Sequence, residues 1–263
     1  MISQLIADAR KIIFKFGSNT LAGKDGKINS EFLCEFAQQS AALIKNGKQI
    51  VLVSSGAQVA GLSTMDKWAR KKDIHYRQAL CAVGQVELMD AWRRAFEKNS
   101  LHIAQILLTR EDFSDSIRTL NMRNTLFTLV DESVIPIINE NDTVSVEEIK
   151  IGENDTLAAQ SAILWSADLL VLFSDIDGLY DKNPKEFPQA VLVEEVRDID
   201  AVRKNITIGN TSDFGTGGIS TKLDAAKLAL SYGISTILAN GGSPRCLESL
   251  VRGSQKGTVF LAS

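Results

Sequence analysis

Short apolar runs alternate along this chain with longer stretches whose apolar positions recur at helical spacing. Lys11–Phe16 is the first run and stops at Gly17, the pattern of a buried strand followed by a turn. A helix is predicted from Asn29 or Ser30: Leu33, Phe36, Ala37, Ser40, Leu43 and Ile44 fall on one face, and Gly47 ends it. Gln49–Val53 predicts the next buried strand, running into Ser54-Ser55-Gly56-Ala57. Lys72 to Asn99 reads either as one helix or as two divided near Gly84. Ile103–Leu108 predicts a strand, Asn121 to Asp131 a helix, and Val134–Ile138 another strand.

The second half repeats the rhythm. Thr156–Trp165 predicts a helix, Leu169–Phe173 a strand, and Asp175 to Gln189 a long loop with Gly178, Pro184 and Pro188. Ile219–Tyr232 predicts a helix ending at Gly233, Thr236–Ala239 a strand, Glu248 the beginning or continuation of a short helix, and Thr258–Leu261 a closing strand. Strands apolar on both faces and alternating with helices predict a mainly parallel sheet covered on both sides, an α/β three-layer αβα sandwich. No internal repeat, low-complexity segment or Pro/Gly/Ser-rich linker divides it, so residues 1–263 read as one domain. Ligands of such sheets gather beyond the carboxyl ends of the strands. Lys15, Ser55, Asn139 to Asp142 and Ser174-Asp175 all fall there.

The totals remove several alternatives. A net charge of −3 over 263 residues gives no basic surface for nucleic acid. Cys34, Cys81 and Cys246 are far apart and odd in number, which argues against a zinc site and a disulfide framework and fits a reducing compartment. His75 and His102 lack ligand-like spacing and read as structural or surface residues. The N-terminus carries Asp8 where the apolar core of a secretory signal would lie, and the longest apolar run, Leu169–Phe173, is too short to span a bilayer. A cytoplasmic location is expected.

Two polar clusters stand out. Asn139-Glu140-Asn141-Asp142 ends a buried strand, and Glu153-Asn154-Asp155 precedes an apolar helix. Between them, Thr143 to Ile151 alternates polar and apolar residues and reads as a hairpin or an excursion from the sheet. Burying two amide-and-carboxylate clusters is unfavourable unless they bind something, and their donors and acceptors suit a small zwitterion or a set of cationic side chains. Turn formation and helix capping account for either cluster taken alone. The most specific local signal is Gly215-Thr216-Gly217-Gly218-Ile219-Ser220-Thr221-Lys222. Its glycines let backbone N–H groups converge on an anion, a helix N-terminus follows, and Lys222 lies on that helix's first turn. It is not a Walker A loop, because the lysine follows Ser-Thr. Lys15 is the second cation, set in an apolar strand beside Gly17; an edge strand with Lys15 in solvent is the alternative. Ser55-Gly56-Ala57 offers a hydroxyl and N–H groups to a carboxylate, or simply caps a helix. Asp175 to Tyr180 follows a strand and suits a ribose and a purine, or is a surface turn.

These segments together resemble the amino-acid kinase family. The resemblance runs in order through Phe14-Lys15-Phe16-Gly17-Ser18, Ser54-Ser55-Gly56-Ala57, Gln105–Asp112, Asn121–Thr125, Ile138–Asp142 (INEND), Gly152–Leu157 (GENDTL) and Gly215–Leu223 (GTGGISTKL). INEND, GENDTL and GTGGISTK in combination are similar to the family's glutamate-phosphorylating members rather than to those acting on aspartate, acetylglutamate, carbamate or UMP. The resemblance implies phosphorylation of the γ-carboxylate of L-glutamate by ATP with Mg2+, the first step toward proline. It implies that Lys15, Ser174, Asp175 and Thr216, Gly217, Gly218, Ile219, Ser220, Thr221 and Lys222 contact ATP. Ser55, Asp142 and Asn154 would hold glutamate, leaving the N-terminal half mainly to glutamate and the C-terminal half mainly to ATP. It also implies a homo-oligomer, a dimer or tetramer, and feedback inhibition by L-proline. Many bacterial members carry a C-terminal PUA domain, and this sequence ends before one.

On that basis Lys15 and Lys222 are the expected catalytic cations, with Asp155 orienting both as a shared acceptor. Asp155 is not needed as a base, since the acceptor carboxylate is already ionised. No protein ligand of the metal is assigned. Within the kinase class the alternative is a relative acting on another carboxylate or phosphate acceptor. Two other classes compete. A non-catalytic sensor of amino acid or nucleotide is disfavoured by retention of both lysines and the glycine loop. A dinucleotide-dependent oxidoreductase would want Gly-x-Gly-x-x-Gly after the first strand, where the chain has Gly17-Ser18-Asn19-Thr20.

Overall fold

The structure is a computed structural model and describes residues 1–23, 25–65, 73–145, 154–184, 186–205 and 218–262. Its centre is an eight-stranded sheet in the order β3-β4-β2-β1-β5-β7-β8-β6. The strands are β1 (Lys11–Phe16), β2 (Gln49–Ser54), β3 (His102–Leu108), β4 (Val134–Glu140), β5 (Leu169–Ser174), β6 (Glu195–Val196), β7 (Ser235–Asn240) and β8 (Gly257–Phe260). Every pairing is parallel except that of β7 with β8. The described helices are α1 (Ile2–Asp8), α2 (Ser18–Leu21), α3 (Ser30–Lys45), α4 (Ala57–Met65), α5 (Ile74–Glu97), α6 (Ser116–Asp131), α7 (Asn154–Trp165), α8 (Ile199–Asn205), α9 (Ile219–Leu230) and α10 (Cys246–Val251).

The period of two along each strand splits the interior into two cores. On one face Ile12, Phe14, Phe16, Leu52, Ile137 and Phe173 pack against α1, α3, α4, α5 and α10. Phe16 anchors an aromatic cluster there, 4.6 Å from Phe36, 5.2 Å from Phe173 and 5.9 Å from Trp92. On the other face Ile13, Val53, Ile138, Leu170, Leu172 and Leu238 meet α6, α7, α8 and α9. The result is the three-layer α/β sandwich expected from the alternation of strands and helices.

Local chemistry sets the elements. Asn29 caps α3 by accepting from the backbone N–H of Phe32 at 3.0 Å, and Gly47, at φ +82°, turns the chain out of it. Asp73 caps α5 in the same way. That helix runs unbroken through Gly84, which selects one helix over two. A Cβ on Gly84 would lie 1.8 Å from the carbonyl oxygen of Ala57, and one on Gly61 would lie 1.9 Å from that of Leu80. Gly84 is therefore where α4 and α5 cross with their backbones in contact, and not a helix stop. The apolar pattern does not reveal α1, α2, a 3-10 turn at Arg110–Phe113, the two-residue strand β6 or the short helix α8, each shorter than a clear period requires. Among the described residues no helix is long and apolar enough to cross a membrane.

Candidate active site

Lys15 lies on β1, with β2 on one side and β5 on the other; the alternative edge position is excluded. Alternation turns Phe14 and Phe16 toward α3 and α5 and turns Ile13 and Lys15 toward α7 and α9. Its lateral neighbours on the sheet are Val53 and Leu172, so the stem is enclosed by apolar side chains and Lys15 is only 4% exposed. An ammonium group so placed requires an anionic partner. Asp155 supplies it: its Oδ1 is 2.6 Å from Lys15 Nζ.

Asp155 occupies the first turn of α7, where the helix N-terminus favours a carboxylate. It is fully buried because α7 is apolar nearly all round and lies over β1 and β5, with α9 packed beside it. The first turn of α9 brings two more groups. Lys222 Nζ lies 3.2 Å from Asp155 Oδ2, and the Thr221 hydroxyl donates to the same oxygen at 2.8 Å. Burial pushes the Asp155 carboxyl upward, but the Lys15 and Lys222 ammonium groups outweigh it and hold the group down at about 2. Burial pulls the Lys222 ammonium below its ordinary value; Asp155 opposes that shift and the positive charge of Lys15 adds to it. Two lysines distant along the chain thus share one carboxylate, leaving a net positive charge facing the strand ends.

A second cluster adjoins this one, because Asn154 directly precedes Asp155. Asn154 Nδ2 donates to Ser55 Oγ at 2.6 Å and to Asn139 Oδ1 at 3.0 Å. Ser55 is fixed by its own backbone, whose N–H donates to the carbonyl of Phe16 at 3.1 Å, and by Gly56, whose φ of +108° lets the chain turn from β2 into α4. Asn139 Nδ2 donates to Gln85 Oε1 on α5 at 2.8 Å. Asp142 follows at the end of β4 and is buried beneath the N-terminal half of α5, where Gln78 Nε2 donates to its carbonyl at 3.0 Å. Burial pushes the Asp142 carboxyl up to about 6, opposed by a hydrogen bond from Cys81 and by the charge of Arg77. Its Oδ1 has no hydrogen-bond partner among the described residues.

The remaining predicted residues surround the lysine pair. Ser174 ends β5 and donates to Asp175 Oδ1 at 3.1 Å, and the Asp175 carboxylate acts electrostatically on Lys222. Beyond it, Gly178 approaches so closely that a Cβ would lie 2.6 Å from Thr258 Oγ1, and Asp177 accepts from Asn240 and Tyr180. The 175–180 segment is thereby a braced loop. Gly218 is the N-cap of α9 and makes no side-chain cap hydrogen bond; Ile219 and Ser220 open the helix. Thr216 and Gly217 lie outside the described residues, as do Gly152, Glu153, Gly215 and most of the expected excursion from Thr143 to Ile151.

The structure therefore brings Lys15, Asp155, Thr221 and Lys222 to one point. Ser55 and Asn154 join beside them, with Asp142 linked through the strand end. Gln78, Cys81 and Gln85 were passed over as candidates. Their signal was a polar residue, Gln85, inside the buried stripe formed by Cys81, Leu88 and Trp92 on α5. The Thr221 hydroxyl lies within hydrogen-bond distance of two acceptors, Asp155 Oδ2 and the carbonyl of Gly218. Among the described residues no group of three or more His, Cys, Asp or Glu side chains is placed to hold a metal ion.

Known proteins share this architecture. The model of the amino acid kinase family matches residues 10–240. The glutamate 5-kinase of Alkaliphilus metalliredigens (strain QYMF) is 60% identical over 262 residues, covering 100% of this chain and 99% of that protein. The glutamate 5-kinase of Alkaliphilus oremlandii (strain OhILAs) is 55% identical over 260 residues, covering 99% of each. Among solved structures, UMP kinase from Ureaplasma parvum superimposes with a TM-score of 0.65 over 96% of this chain and 98% of that one at 15% identity, a likeness of fold. A sheet with its cationic pair at the central strand end, a match across most of the chain and two such relatives lead to one assignment: this chain belongs to the amino acid kinase family.

Proposed function

We propose that the chain transfers the γ-phosphoryl group of ATP to the γ-carboxylate of L-glutamate, giving L-glutamyl 5-phosphate, the first step of proline biosynthesis. The observation that carries the reading is the convergence of Lys15 and Lys222 on Asp155 beside the Ser55–Asn154–Asn139 cluster. Phosphoryl transfer to a carboxylate brings two anions together. Two unit charges about 4 Å apart at an effective dielectric of about 20 repel by about 4 kcal/mol, roughly a thousandfold in rate. A pair of ammonium groups held in place before the substrates arrive offsets that repulsion without having to reorganise.

In this reading Lys15 stabilises the moving phosphoryl group and Lys222 the charge left on ADP, with Asp155 holding the two apart and aimed. Ser174, Asp175 and the start of α9 from Gly218 to Thr221 receive the nucleotide, and Thr216 and Gly217 extend that loop. Asp142 and Asn154 take the amino-acid end of glutamate and Ser55 a carboxylate. The N-terminal half then serves mainly glutamate and the C-terminal half mainly ATP, on one domain. Mg2+ would arrive on the nucleotide's phosphates, since both Asp155 oxygens are already engaged by cations and a hydroxyl. The chain's own contribution is to position and to neutralise. Assembly as a dimer or tetramer, inhibition by L-proline and a cytoplasmic location belong to the same reading.

A coupled ADP-release assay with glutamate, aspartate, acetylglutamate, carbamate and UMP tests it, with hydroxylamine trapping of the acyl phosphate. Glutamate-dependent ADP release accompanied by a hydroxamate is expected. Release with another acceptor and none with glutamate would overturn the substrate, and release with none of them the activity.

A further inference from the structure

The buried amide of Gln85 is engaged through its oxygen. The backbone N–H of Glu140 can only donate, and it meets the Asn139 side chain at 2.9 Å, so the atom there is Oδ1. Asn139 Nδ2 must then be the atom facing Gln85, 2.8 Å away, and Gln85 must present Oε1 to it. Gln85 Nε2 is left over. Gln85 is only 8% exposed, and this nitrogen has no hydrogen-bond partner among the described residues. A buried donor of this kind is strongly disfavoured unless something fills the position.

Asp142 offers the opposite group, the enclosed acceptor Oδ1, likewise without a partner among the described residues. Both lie against one face of α5: Cys81 bonds Asp142, and Gln85, one turn further on, holds Asn139. An enclosed donor and an enclosed acceptor so placed complement a zwitterion. We infer that Gln85 Nε2 donates to the α-carboxylate of the amino-acid substrate whose ammonium group sits on Asp142. Gln85 is then a binding and specificity-determining residue that separates α-amino acids from amines of the same length. The inference rests on the reading of this site as glutamate-binding.

Two substitutions separate binding from support. Gln85→Glu keeps an oxygen for Asn139 and replaces the donor by an acceptor, whereas Gln85→Met removes both. The comparison ligand is 4-aminobutyrate, which is glutamate without its α-carboxylate, measured in competition with glutamate. Both variants are expected to raise KM for glutamate about 10- to 100-fold and to shrink the preference for glutamate over 4-aminobutyrate by a similar factor. KM for ATP should not move. A wild-type KM for glutamate in Gln85→Glu, with Gln85→Met alone impaired, would make Gln85 a mere support for Asn139 and overturn the inference; so would an unchanged KM in both. If Gln85→Glu does not fold by its melting curve, the preference in Gln85→Met decides, and a wild-type preference there overturns the inference. Absence of glutamate-dependent ADP release in the wild type is a separate result, visible before any variant is made, and counts against the functional reading itself.

Discussion

Asp155 is the carboxylate on which two buried cations depend. Replacing it by asparagine keeps the shape and removes the charge, so Lys15 and Lys222 would face each other without an anion. A loss of about 3–5 kcal/mol in stability at neutral pH is expected for Asp155→Asn, read from the denaturant midpoint. An unchanged midpoint would mean that the pair is not held as described. Because the Asp155 carboxyl is depressed from 3.8 to about 2, its contribution to stability is complete above pH 4 and is lost as pH falls through 2. The lysines themselves should act on the rate: Lys15→Ala and Lys222→Ala are each expected to lower kcat about 100- to 1000-fold while moving KM for glutamate far less. A kcat near the wild-type value in either would remove that lysine from the mechanism.

Asp142 works in the other direction. Burial raises its carboxyl to about 6, so its contribution is favourable below pH 3.8 and is lost as pH rises through 6. The protein at neutral pH holds an ionised carboxylate where a neutral group would be more stable. Asp142→Asn should therefore be more stable than wild type above pH 6 by roughly 1–3 kcal/mol, with the difference closing below pH 4. The same substitution should weaken glutamate binding, since a neutral amide attracts an ammonium group less. In the wild type KM for glutamate should fall as pH rises through 6. A flat KM between pH 5 and 8 would contradict the assignment of Asp142 to the ammonium group.

Among the elements, the crossing of α4 and α5 matters most for the site. It tolerates no side chain at Gly61 or Gly84, and α4 follows directly from Ser55-Gly56. Gly84→Ala is expected to destabilise the protein by about 3 kcal/mol or more and to raise KM for glutamate by displacing Ser55. Val86→Ala, on the exposed face of the same helix, should change stability by no more than about 0.5 kcal/mol. Equal effects at the two positions would show that the close approach carries no weight. Whether the helix breaks at Gly84 is a choice local patterns cannot make: glycine disfavours an isolated helix interior, but here it permits a contact with a segment over twenty residues upstream. The end of β4 and the start of α7 were also drawn short. Asn139 and Glu140 are in the strand and Asn154 and Asp155 are in the helix, where Asn139, Asn154 and Asp155 meet side chains from distant parts of the sequence.

Across the whole molecule, β1 divides the sheet. The chain places β2, β4 and β3 on one side and β5, β7, β8 and β6 on the other, so the crevice beyond β1 is where the two directions part. Groups from both sides close on it, Ser55 and Asn139 from one and Ser174 and Lys222 from the other. Ligands filling that crevice should stabilise the fold as a unit. A non-hydrolysable ATP analogue and glutamate, each at about 100 times its Kd, should each add about 2.7 kcal/mol, seen as a rise in Tm. In Lys15→Ala the increment from the analogue should shrink. No rise in Tm with either ligand would place the binding site elsewhere.

The alternation of apolar runs with helical periods made the layered α/β class legible. Positions of Lys15, Ser55, Ser174 and the glycine loop at strand ends made a site there legible too, because strand direction and side-chain period are local properties. Folding alone brought Lys15 and Lys222, separated by most of the chain, to opposite oxygens of one carboxylate. It also matched Gln85 to Asn139 and fitted Gly84 against Ala57. Partners of this kind are chosen by distance in space, and the one-dimensional pattern of apolar and polar residues carries no measure of it.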